Sequence, residues 1–135
     1  NQAMPDFIIE RIMVILNRFE KALNGSHVVV LGAAYKKDID DVRESPVFPI
    51  LERLKKNQAK ITVVDPHVKS FRFEDQIIET EELSQELLES ADLALIVTDH
   101  SAFDYQLIAD HAVAIFDTRN AMKDVTEIRG YYEKL

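Results

Sequence analysis

One stretch, residues 28–54, places the tightest constraint on how this chain can fold. It opens with an unbroken apolar run, 28–31, which is typical of a parallel strand covered on both faces, and Gly32 ends that run. Ser45 and Pro46 follow as an N-cap residue and the residue best tolerated in a first helical turn. The helix predicted from there has one apolar face, made of Val47, Ile50, Leu51 and Leu54. The stretch therefore predicts a strand, a loop and an amphipathic helix.

The connection between this strand and helix, residues 33–44, is unusually long and charged. Strand-to-helix connections in α/β proteins usually take about 2–6 residues, so we expect a longer one to have a function. Its charged residues are Lys36, Lys37, Asp38, Asp40, Asp41, Arg43 and Glu44.

The rest of the chain alternates between strand and helix patterns. Apolar runs predict strands at residues 60–65, 77–78, 93–97 and 113–116. Helical spacing predicts helices at residues 4–23, 82–90 and 105–111, the last of them capped by Asp104. We assign 68–73 to a loop, and expect Tyr131 and Tyr132 of the polar tail to pack back onto the domain. This order predicts an α/β, Rossmann-like three-layer sandwich with a mostly parallel sheet, preceded by an N-terminal helix.

The N-terminal helix has a broad apolar stripe that allows two interpretations. The stripe contains Ile8, Ile12, Ile15, Phe19 and Ala22. It could cover the sheet of its own domain, or it could be a surface that a further domain or a second subunit buries. Because the chain begins with Asn1 rather than methionine, we expect it to be a processed or excised piece of a longer protein.

Composition narrows the classes of function. A chain of 135 residues with 47% hydrophobic and 30% charged residues is one globular domain by size. A net charge of −8 argues against nucleic acid as a partner, because phosphate backbones need a basic surface. The absence of cysteine excludes disulfides, thiolate metal sites and a cysteine nucleophile in this chain. We find no apolar run near 18 residues and no signal peptide, and we expect a cytoplasmic protein.

The segments that follow the strands are where a ligand should bind. In an open parallel sheet, ligands bind beyond the carboxyl ends of the strands. The cations in those segments are Lys36, Lys37, Arg43 and Arg119. Cations that converge on one edge of an acidic protein suggest an anionic ligand, and arginine suits bidentate phosphate contacts. The alternative is that they pair with nearby acids, namely Asp38, Asp40, Asp41 and Asp117.

Other site chemistries fit the sequence poorly. The usual dinucleotide motif G-x-G-x-x-G is missing after Gly32, although Asp65 stands where a ribose-binding acid would stand. The histidines are scattered and have no recognisable metal-ligand spacing. Adjacent residues rarely point at one another, so we interpret Asp99, His100 and Ser101 as caps of the next turn and not as a catalytic triad.

Four motifs in one order resemble a known family. The segment LGAAYKKDIDDVRESP resembles the signature that opens the C-terminal, UDP-binding domain of the UDP-glucose/GDP-mannose dehydrogenase family. VVDPHV, ADLALIVTDHSAFDYQLI and IFDTRNAM are similar to later motifs of the same domain, and the N-terminal MPDFIIERI extends the resemblance over nearly the whole chain. The resemblance implies residues 1–24 as the end of a central helical region and 25–135 as the C-terminal domain.

The resemblance also implies a function and its residues. Family members oxidise the C6 hydroxyl of a nucleotide sugar to a carboxylate in two NAD-dependent steps, with a catalytic cysteine. The motifs imply that Tyr35 and Lys36 contact the UDP-sugar and that Arg119 reaches the nucleotide or its diphosphate. They imply that Arg43 faces NAD, which the absent N-terminal domain would mainly bind. The motifs are most similar to those of UDP-N-acetylglucosamine and UDP-N-acetylmannosamine 6-dehydrogenases.

The resemblance implies partners and leaves rivals open. Implied partners are the UDP-sugar, the NAD-binding and central domains of the same enzyme, and a second copy in a homodimer. Without a cysteine, this chain should not carry out the oxidation alone. The rival hypotheses are a stand-alone nucleotide-binding regulatory module and a purely structural oligomerisation domain. The second rival leaves the basic edge without a task.

Overall fold

The structure is a computed structural model, and it describes residues 2–135. Its elements are, in chain order, α1 (Ala3–Arg18), β1 (His27–Leu31), α2 (Val47–Lys56), β2 (Lys60–Val64), β3 (Ser70–Phe73), β4 (Gln76–Glu79), α3 (Gln85–Ser90), β5 (Leu93–Ile96), α4 (Tyr105–His111), β6 (Ala114–Asp117) and β7 (Tyr131–Lys134). None of the helices within this range is both long and apolar enough to cross a membrane.

Five strands form a fully parallel sheet in the order β2-β1-β5-β6-β7. Strand β1, the second in this order, is hydrogen-bonded on both sides, so that Val28 lies between Ile61 of β2 and Leu93 of β5. Strands β3 and β4 form a separate antiparallel hairpin. The α/β, Rossmann-like architecture that the alternating pattern predicts is therefore confirmed.

The apolar run of β1 is unbroken because helices cover both faces of the sheet. Val28 and Val30 pack with the buried residues of α1 and α2. Val29 and Leu31 pack with those of α3 and α4 on the other face. After β1 the chain crosses one face through α2 to β2, and after β5 it crosses the other face through α4 to β6, in the opposite direction along the sheet. The strand order therefore reverses between the carboxyl ends of β1 and β5. Ligands of open α/β sheets bind at this point.

Helix α2 forms as its sequence predicts. The Ser45 hydroxyl accepts a hydrogen bond from the Val47 N–H at 3.1 Å, which satisfies one free donor of the first turn. The buried face consists of the four predicted residues, Val47, Ile50, Leu51 and Leu54. Of the two short helices, α4 begins where the sequence predicts, directly after its cap Asp104. Helix α3 begins at Gln85, three residues later than predicted, with Ser84 as its cap.

Helix α1 ends at Arg18, so the predicted extension to residue 23 is wrong. Glu20 lies in the left-handed region (φ 59°), and two backbone bonds close the helix end around it. They run from the Lys21 N–H to the Leu16 carbonyl at 3.1 Å and from the Glu20 N–H to the Asn17 carbonyl at 3.0 Å. This is a Schellman arrangement, which usually has glycine or asparagine at the left-handed position. Glutamate there gave no stop signal.

The assignment of residues 68–73 to a loop is also wrong, because strand β3 occupies most of that segment. Phe71 and Phe73 alternate with exposed residues and are buried. Both rings pack against Phe48 of α2, with ring centroids 5.8 and 6.5 Å apart. The partner strand β4 includes the short strand predicted at residues 77–78.

The tail contains a fifth strand of the sheet that the sequence did not predict. Strand β7 pairs in parallel with β6, and Gly130 precedes it with almost no room for a side chain. A Cβ atom on Gly130 would lie 2.3 Å from the Ala112 carbonyl oxygen. Tyr131 and Tyr132 do pack onto the domain as expected, one on each face of the sheet.

Helix α1 packs on its own domain and still presents apolar side chains outwards. Its inner residues join the same buried cluster as α2 and the sheet, and Arg11 makes two hydrogen bonds, at 2.7 and 2.8 Å, with Glu133 of β7. Its outer face exposes Met4, Phe7, Met13 and Val14, each 40% or more accessible. The first interpretation of the stripe is therefore correct for Ile8, Ile12 and Ile15. It is wrong for Phe19 and Ala22, which are exposed and lie beyond the end of α1. The division into 1–24 and 25–135 stays a prediction.

Candidate functional site

The loops after β1 and β5 touch each other closely at the point where strand order reverses. Gly32 has φ 103°, and a Cβ atom there would lie 2.4 Å from the Cβ of Thr98. The Thr98 hydroxyl donates to the Ala34 carbonyl at 3.0 Å. Only glycine fits both the backbone conformation and this approach. The crevice between the two strands is consequently filled by the protein's own loops.

Asp65, at the end of β2, occupies the backbone groups that a dinucleotide phosphate would use. Its buried carboxylate accepts the N–H groups of Ala33 and Ala34 at 2.8 and 3.1 Å, and that of His67 at 2.8 Å. Burial alone would raise the pKa of Asp65, but the hydrogen bonds from His100 and these amides outweigh it and lower the pKa below its ordinary value. A pyrophosphate therefore does not fit at the loop after β1.

His100 is fully buried and both of its ring nitrogens are engaged. Nε2 lies 2.9 Å from Oδ2 of Asp65, and Nδ1 lies 2.9 Å from the backbone nitrogen of Asp38. An N–H group can only donate, so Nδ1 accepts and the proton lies on Nε2, which donates to Asp65. His67 packs edge-on against His100, with ring centroids 4.6 Å apart. The histidines that look scattered in the sequence thus include one adjacent pair.

Asp38, His67 and His100 bring three possible metal ligands within 4.8 Å of one another. The Asp38 N–H, however, donates a hydrogen bond to His100 Nδ1, so the lone pair of this nitrogen is not available to a metal. The Asp38 carboxylate accepts both the N–H and the hydroxyl of Ser101 at 2.7 Å. The hydrogen bonds from Ser101 lower the pKa of Asp38. Asp38 and His100 thus have hydrogen-bond partners within the protein, and we interpret the cluster as part of a hydrogen-bonded network.

Asp99, His100 and Ser101 do not form a triad, because each has a different partner. Ser101 donates to Asp38, His100 donates to Asp65, and Asp99 lies 3.8 Å from Arg119. Capping of the next turn, the role predicted for this trio, falls instead to Asp104, which accepts the N–H of Leu107 at 3.0 Å.

Asp117, at the end of β6, holds the loop that carries Arg119. Its fully buried carboxylate accepts the N–H groups of three loop residues at 2.9–3.0 Å: Arg119, Ala121 and Met122. Between them, Asn120 takes a left-handed conformation with φ 57°. Asp117 is thus committed to its own backbone and does not neutralise Arg119.

A cavity of about 300 Å³ lies between the ends of β5 and β6. Three cations line it, namely Lys37, Arg119 and Lys123, against two acids, Asp99 and Asp124. Ser101, Tyr105 and Asn120 add uncharged polar groups. Cavities of roughly 300–1,000 Å³ accept small ligands, and lysine and arginine side chains favour anions. The arrangement is suited to part of a phosphorylated compound.

A second cavity, of about 1010 Å³, lies beyond the end of β2 and has the opposite charge. Its lining includes five acids, Asp65, Glu79, Glu81, Glu82 and Asp104, but one lysine, Lys69. This charge disfavours a nucleotide phosphate. The smaller cavity is therefore the better candidate for the anion site.

The four residues predicted for the site lie on the same edge of the sheet but not in one cluster. Arg119 lines the smaller cavity together with Lys37, which the sequence places among the cations of the ligand edge. Tyr35 and Lys36 precede Lys37 in the chain but do not line the cavity; their side chains are exposed, and Tyr35 is 52% accessible. Arg43 is bidentate to Asp41, with contacts of 3.0 and 2.7 Å, and points into solvent. Of the acid–cation pairs considered from the sequence, this one forms.

Lys123 and the two buried aspartates were not recognised as site residues. Lys123 follows the IFDTRNAM motif by one residue, and no local pattern marks it. Asp65 and Asp117 each end a strand and precede a turn, and such a carboxylate often bonds to backbone N–H groups two residues on. That signal is present in the sequence, although from the sequence we consider Asp65 as a ribose-binding acid and Asp117 as a partner of the cations.

Fold and site together define a Rossmann-like ligand-binding domain with a basic cavity at the carboxyl edge of its sheet. Comparison with known families gives the particular one. Residues 29–124 match the UDP binding domain of the UDP-glucose/GDP-mannose dehydrogenase family, and the chain belongs to that family.

Named relatives and solved structures agree with this membership. The chain is 34% identical over 107 residues to the UDP-N-acetyl-D-mannosamine dehydrogenase of Campylobacter jejuni, a match over 76% of this chain and 25% of that protein. The native structure of the UDP-N-acetyl-mannosamine dehydrogenase from Staphylococcus aureus aligns with a TM-score of 0.75 and 32% identity, over 99% of this chain and 31% of that one. The NDP-N-acetyl-D-galactosaminuronic acid dehydrogenase from Methanosarcina mazei aligns with a TM-score of 0.81 and 27% identity, over 99% and 29%.

The chain spans between 22% and 29% of the length of the curated relatives compared with it. The matched part corresponds to one domain of those dehydrogenases.

Proposed function

We propose that this chain is the UDP-sugar-binding domain of an NAD-dependent nucleotide-sugar 6-dehydrogenase. The observation that carries the proposal is the cavity shared by Arg119, Lys37 and Lys123 in a protein whose net charge is −8. Cations gathered there oppose the charge of the rest of the molecule, and a diphosphate would neutralise them. The family match makes UDP the nucleotide.

We assign roles in binding to the predicted residues. Arg119 bonds the diphosphate, because its guanidinium is held by a loop fixed to Asp117 and is free for bidentate contacts. Among residues 2–135, Asp99 is the acid that forms an ion pair with it, at 3.8 Å, a distance too long for a hydrogen bond. Tyr35 and Lys36, which are exposed and directly precede Lys37, contact the sugar nucleotide from the loop after β1.

The sugar is an N-acetylhexosamine in this proposal. The relatives compared act, by their names, on UDP-N-acetyl-D-mannosamine or belong to N-acetylgalactosaminuronate formation. Both compounds are N-acetylhexosamine derivatives. The C6 position is available for oxidation in the first and is oxidised in the second. The chain lacks cysteine, so the nucleophile for such an oxidation comes from another part of the enzyme.

NAD belongs mainly to a different domain. The amides of Ala33 and Ala34, which would have to face its pyrophosphate, are bonded to Asp65. Arg43 is the residue of this chain that we propose turns towards NAD across the interdomain cleft, after leaving Asp41. The exposed apolar face of α1 fits contact with a central domain or with a second copy in a homodimer.

Affinity in the isolated chain should be low. Charge-assisted hydrogen bonds contribute about 1.5–3 kcal/mol each, whereas association costs roughly 4–15 kcal/mol. Three such contacts leave a complex with a dissociation constant of about 1 mM. NMR titration detects binding in this range.

The test is a titration of the isotope-labelled chain with UDP, and separately with NAD, followed by amide shifts. We expect UDP to move amides in residues 35–44 and 118–123, and NAD to have little effect. Arg119→Ala should weaken UDP binding by about 10-fold or more, as the loss of one charged contact predicts. Arg72→Ala, an exposed arginine on β3, is the matched control and should leave the affinity unchanged. A response to NAD around Gly32 and Asp65 with none to UDP would refute the proposal.

A further inference from the structure

The two hydrogen bonds of the His100 ring, to Asp65 and to the backbone of Asp38, link three loops at the carboxyl edge of the sheet. Asp65 follows β2, His100 follows β5, and Asp38 lies in the loop after β1. Asp65 fixes the proton on Nε2 of His100, as described above, and leaves Nδ1 as an acceptor. Nδ1 then takes the Asp38 N–H at 2.9 Å, in the middle of the loop.

Asp38 has a backbone conformation that depends on local hydrogen bonds. Its φ of 63° lies in the left-handed region, which aspartate enters more readily than most residues because its short side chain can hydrogen-bond nearby. The Asp38 carboxylate is bonded to Ser101, the neighbour of His100, at 2.7 Å. Main chain and side chain of Asp38 are therefore both attached to the segment after β5.

The residues just before Asp38 are the lysines of the candidate site. Lys37 lines the 300 Å³ cavity, and Lys36 is exposed. Neither has an ion-pair partner within 4 Å among residues 2–135. Their side chains therefore have no ion pair that fixes their direction. The backbone on either side of them is anchored instead, by the hydrogen bond from the Tyr35 N–H to the Asp41 carbonyl at 2.7 Å and by the bond from the Asp38 N–H to His100.

We propose that His100 is a positioning residue: through the Asp38 N–H it sets the direction of Lys36 and Lys37 towards the anion. This inference rests on the proposed function, which supplies the anion as the UDP diphosphate. His100 is fully buried and touches no ligand in this account. It acts on binding only through the loop.

Two substitutions separate the two hydrogen bonds of His100. In His100→Asn the amide oxygen takes the place of Nδ1 and can still accept the Asp38 N–H, whereas the bond to Asp65 is lost. In His100→Gln the amide nitrogen takes the place of Nε2 and can still donate to Asp65, whereas the acceptor for Asp38 is lost. The first variant should bind UDP within about twofold of the parent. The second should bind it about 3- to 10-fold more weakly, the equivalent of one hydrogen bond.

A control variant distinguishes positioning from general stability. Thr98→Val removes the hydroxyl bond to Ala34 in the same loop but leaves the Asp38 bond in place. It should lower the melting temperature without changing the affinity for UDP. If His100→Gln melts like Thr98→Val and also binds UDP like the parent, His100 has only a structural role and the proposal is overturned.

Amide hydrogen exchange tests the inference without UDP. The Asp38 N–H should be protected in the parent and in His100→Asn, and should exchange at least tenfold faster in His100→Gln. Equal exchange in all three proteins overturns the proposal while leaving the UDP result standing. If instead the parent fails to bind UDP, the proposed function fails, and the exchange pattern alone decides whether His100 holds the loop.

Discussion

The Tyr132 hydroxyl donates a hydrogen bond of 2.9 Å to the buried Asp117 carboxylate, which ties the last strand to the loop that carries Arg119. Asp117 ends β6 and Tyr132 lies in β7, so the bond crosses between neighbouring strands. Burial, together with this bond to the carboxylate, raises the pKa of Tyr132 above its ordinary value. The C-terminal strand is therefore a support for the candidate site as well as an edge of the sheet.

Removal of this hydroxyl should weaken the fold modestly. Tyr132→Phe loses one hydrogen bond to a charged group, and Asp117 keeps its three backbone donors, so we expect a loss of about 1–2 kcal/mol in the free energy of unfolding. Urea denaturation measures it. Tyr131→Phe is the matched control, since that hydroxyl lies 3.2 Å from the partly exposed Glu133 carboxylate and should matter less. Equal losses in the two variants would contradict the support role of Tyr132.

A side chain at Gly32 should destabilise the fold by colliding with Thr98. Gly25 serves as the control, because it has a similar backbone conformation without such a collision. Both glycines have positive φ, 103° and 83°, but a Cβ on Gly25 meets nothing within 4 Å, whereas one on Gly32 lies 2.4 Å from Thr98. Gly25→Ala should cost about 1–2 kcal/mol from the backbone alone. Gly32→Ala should cost at least about 2 kcal/mol more, because the loops after β1 and β5 must separate. Thermal unfolding of the two variants compares them, and similar melting temperatures would show that the contact with Thr98 is easily relieved.

Asp65 should make stability depend on pH in the acidic range. Its folded-state pKa is lowered, so the ionised carboxylate stabilises the fold fully above the unfolded pKa of about 3.9. That contribution is lost as the pH falls from about 4 through the lower folded pKa. Carbon-detected NMR titration of the Asp65 carboxyl should therefore show a midpoint below 3.9.

Asp65→Asn provides the thermodynamic check on the same effect. The difference in unfolding free energy between parent and variant should be largest near neutral pH and shrink below about pH 4. A difference that stays constant down to the lowest pH at which both proteins fold would contradict the assignment.

Arg43 should control the titration of its neighbour Asp41. Paired side-chain hydrogen bonds from Arg43 lower the pKa of Asp41 to about 2. In Arg43→Ala we expect that pKa to rise towards the ordinary value of about 3.9, with a small loss of stability near neutral pH, because solvent screens a pair that lies on the surface. A pH titration of the Asp41 carboxyl by NMR measures it. Arg53→Ala, which removes an exposed pair with Asp6 instead, should leave Asp41 unchanged.

Much of the fold and part of the site follow from local sequence. Strand β1 and helix α2 form where apolar spacing and the Ser45 cap place them, and Asp104 caps α4 as predicted. These signals lie within a few residues of the element they define. The same holds for the ligand edge, because parallel strands put all of their carboxyl ends on one side. Arg119 could therefore be placed on that edge from sequence alone.

Tertiary structure decided the elements whose signals are long-range. Strand β7 forms by pairing with β6 through half-buried residues, and its short sequence has no clear apolar run. The end of α1 depends on a left-handed Glu20 that carries no glycine signal. The strand β3 did carry a local signal, the alternation of Phe71 and Phe73, but both rings are buried by contacts with distant parts of the chain, such as Phe48 of α2.

What the sequence by itself determined is the order of strands and helices, the caps, and the charge that gathers on one edge. Only the tertiary structure decided which of those charges are free and which are engaged. Asp65 and His100 are 35 positions apart, and Asp38 and His100 are 62 positions apart, yet each pair is 2.9 Å apart in the folded chain. Hydrogen bonds between loops depend on which loops the sheet brings together. The periodicity of the sequence does not predict the distance between two residues in different loops.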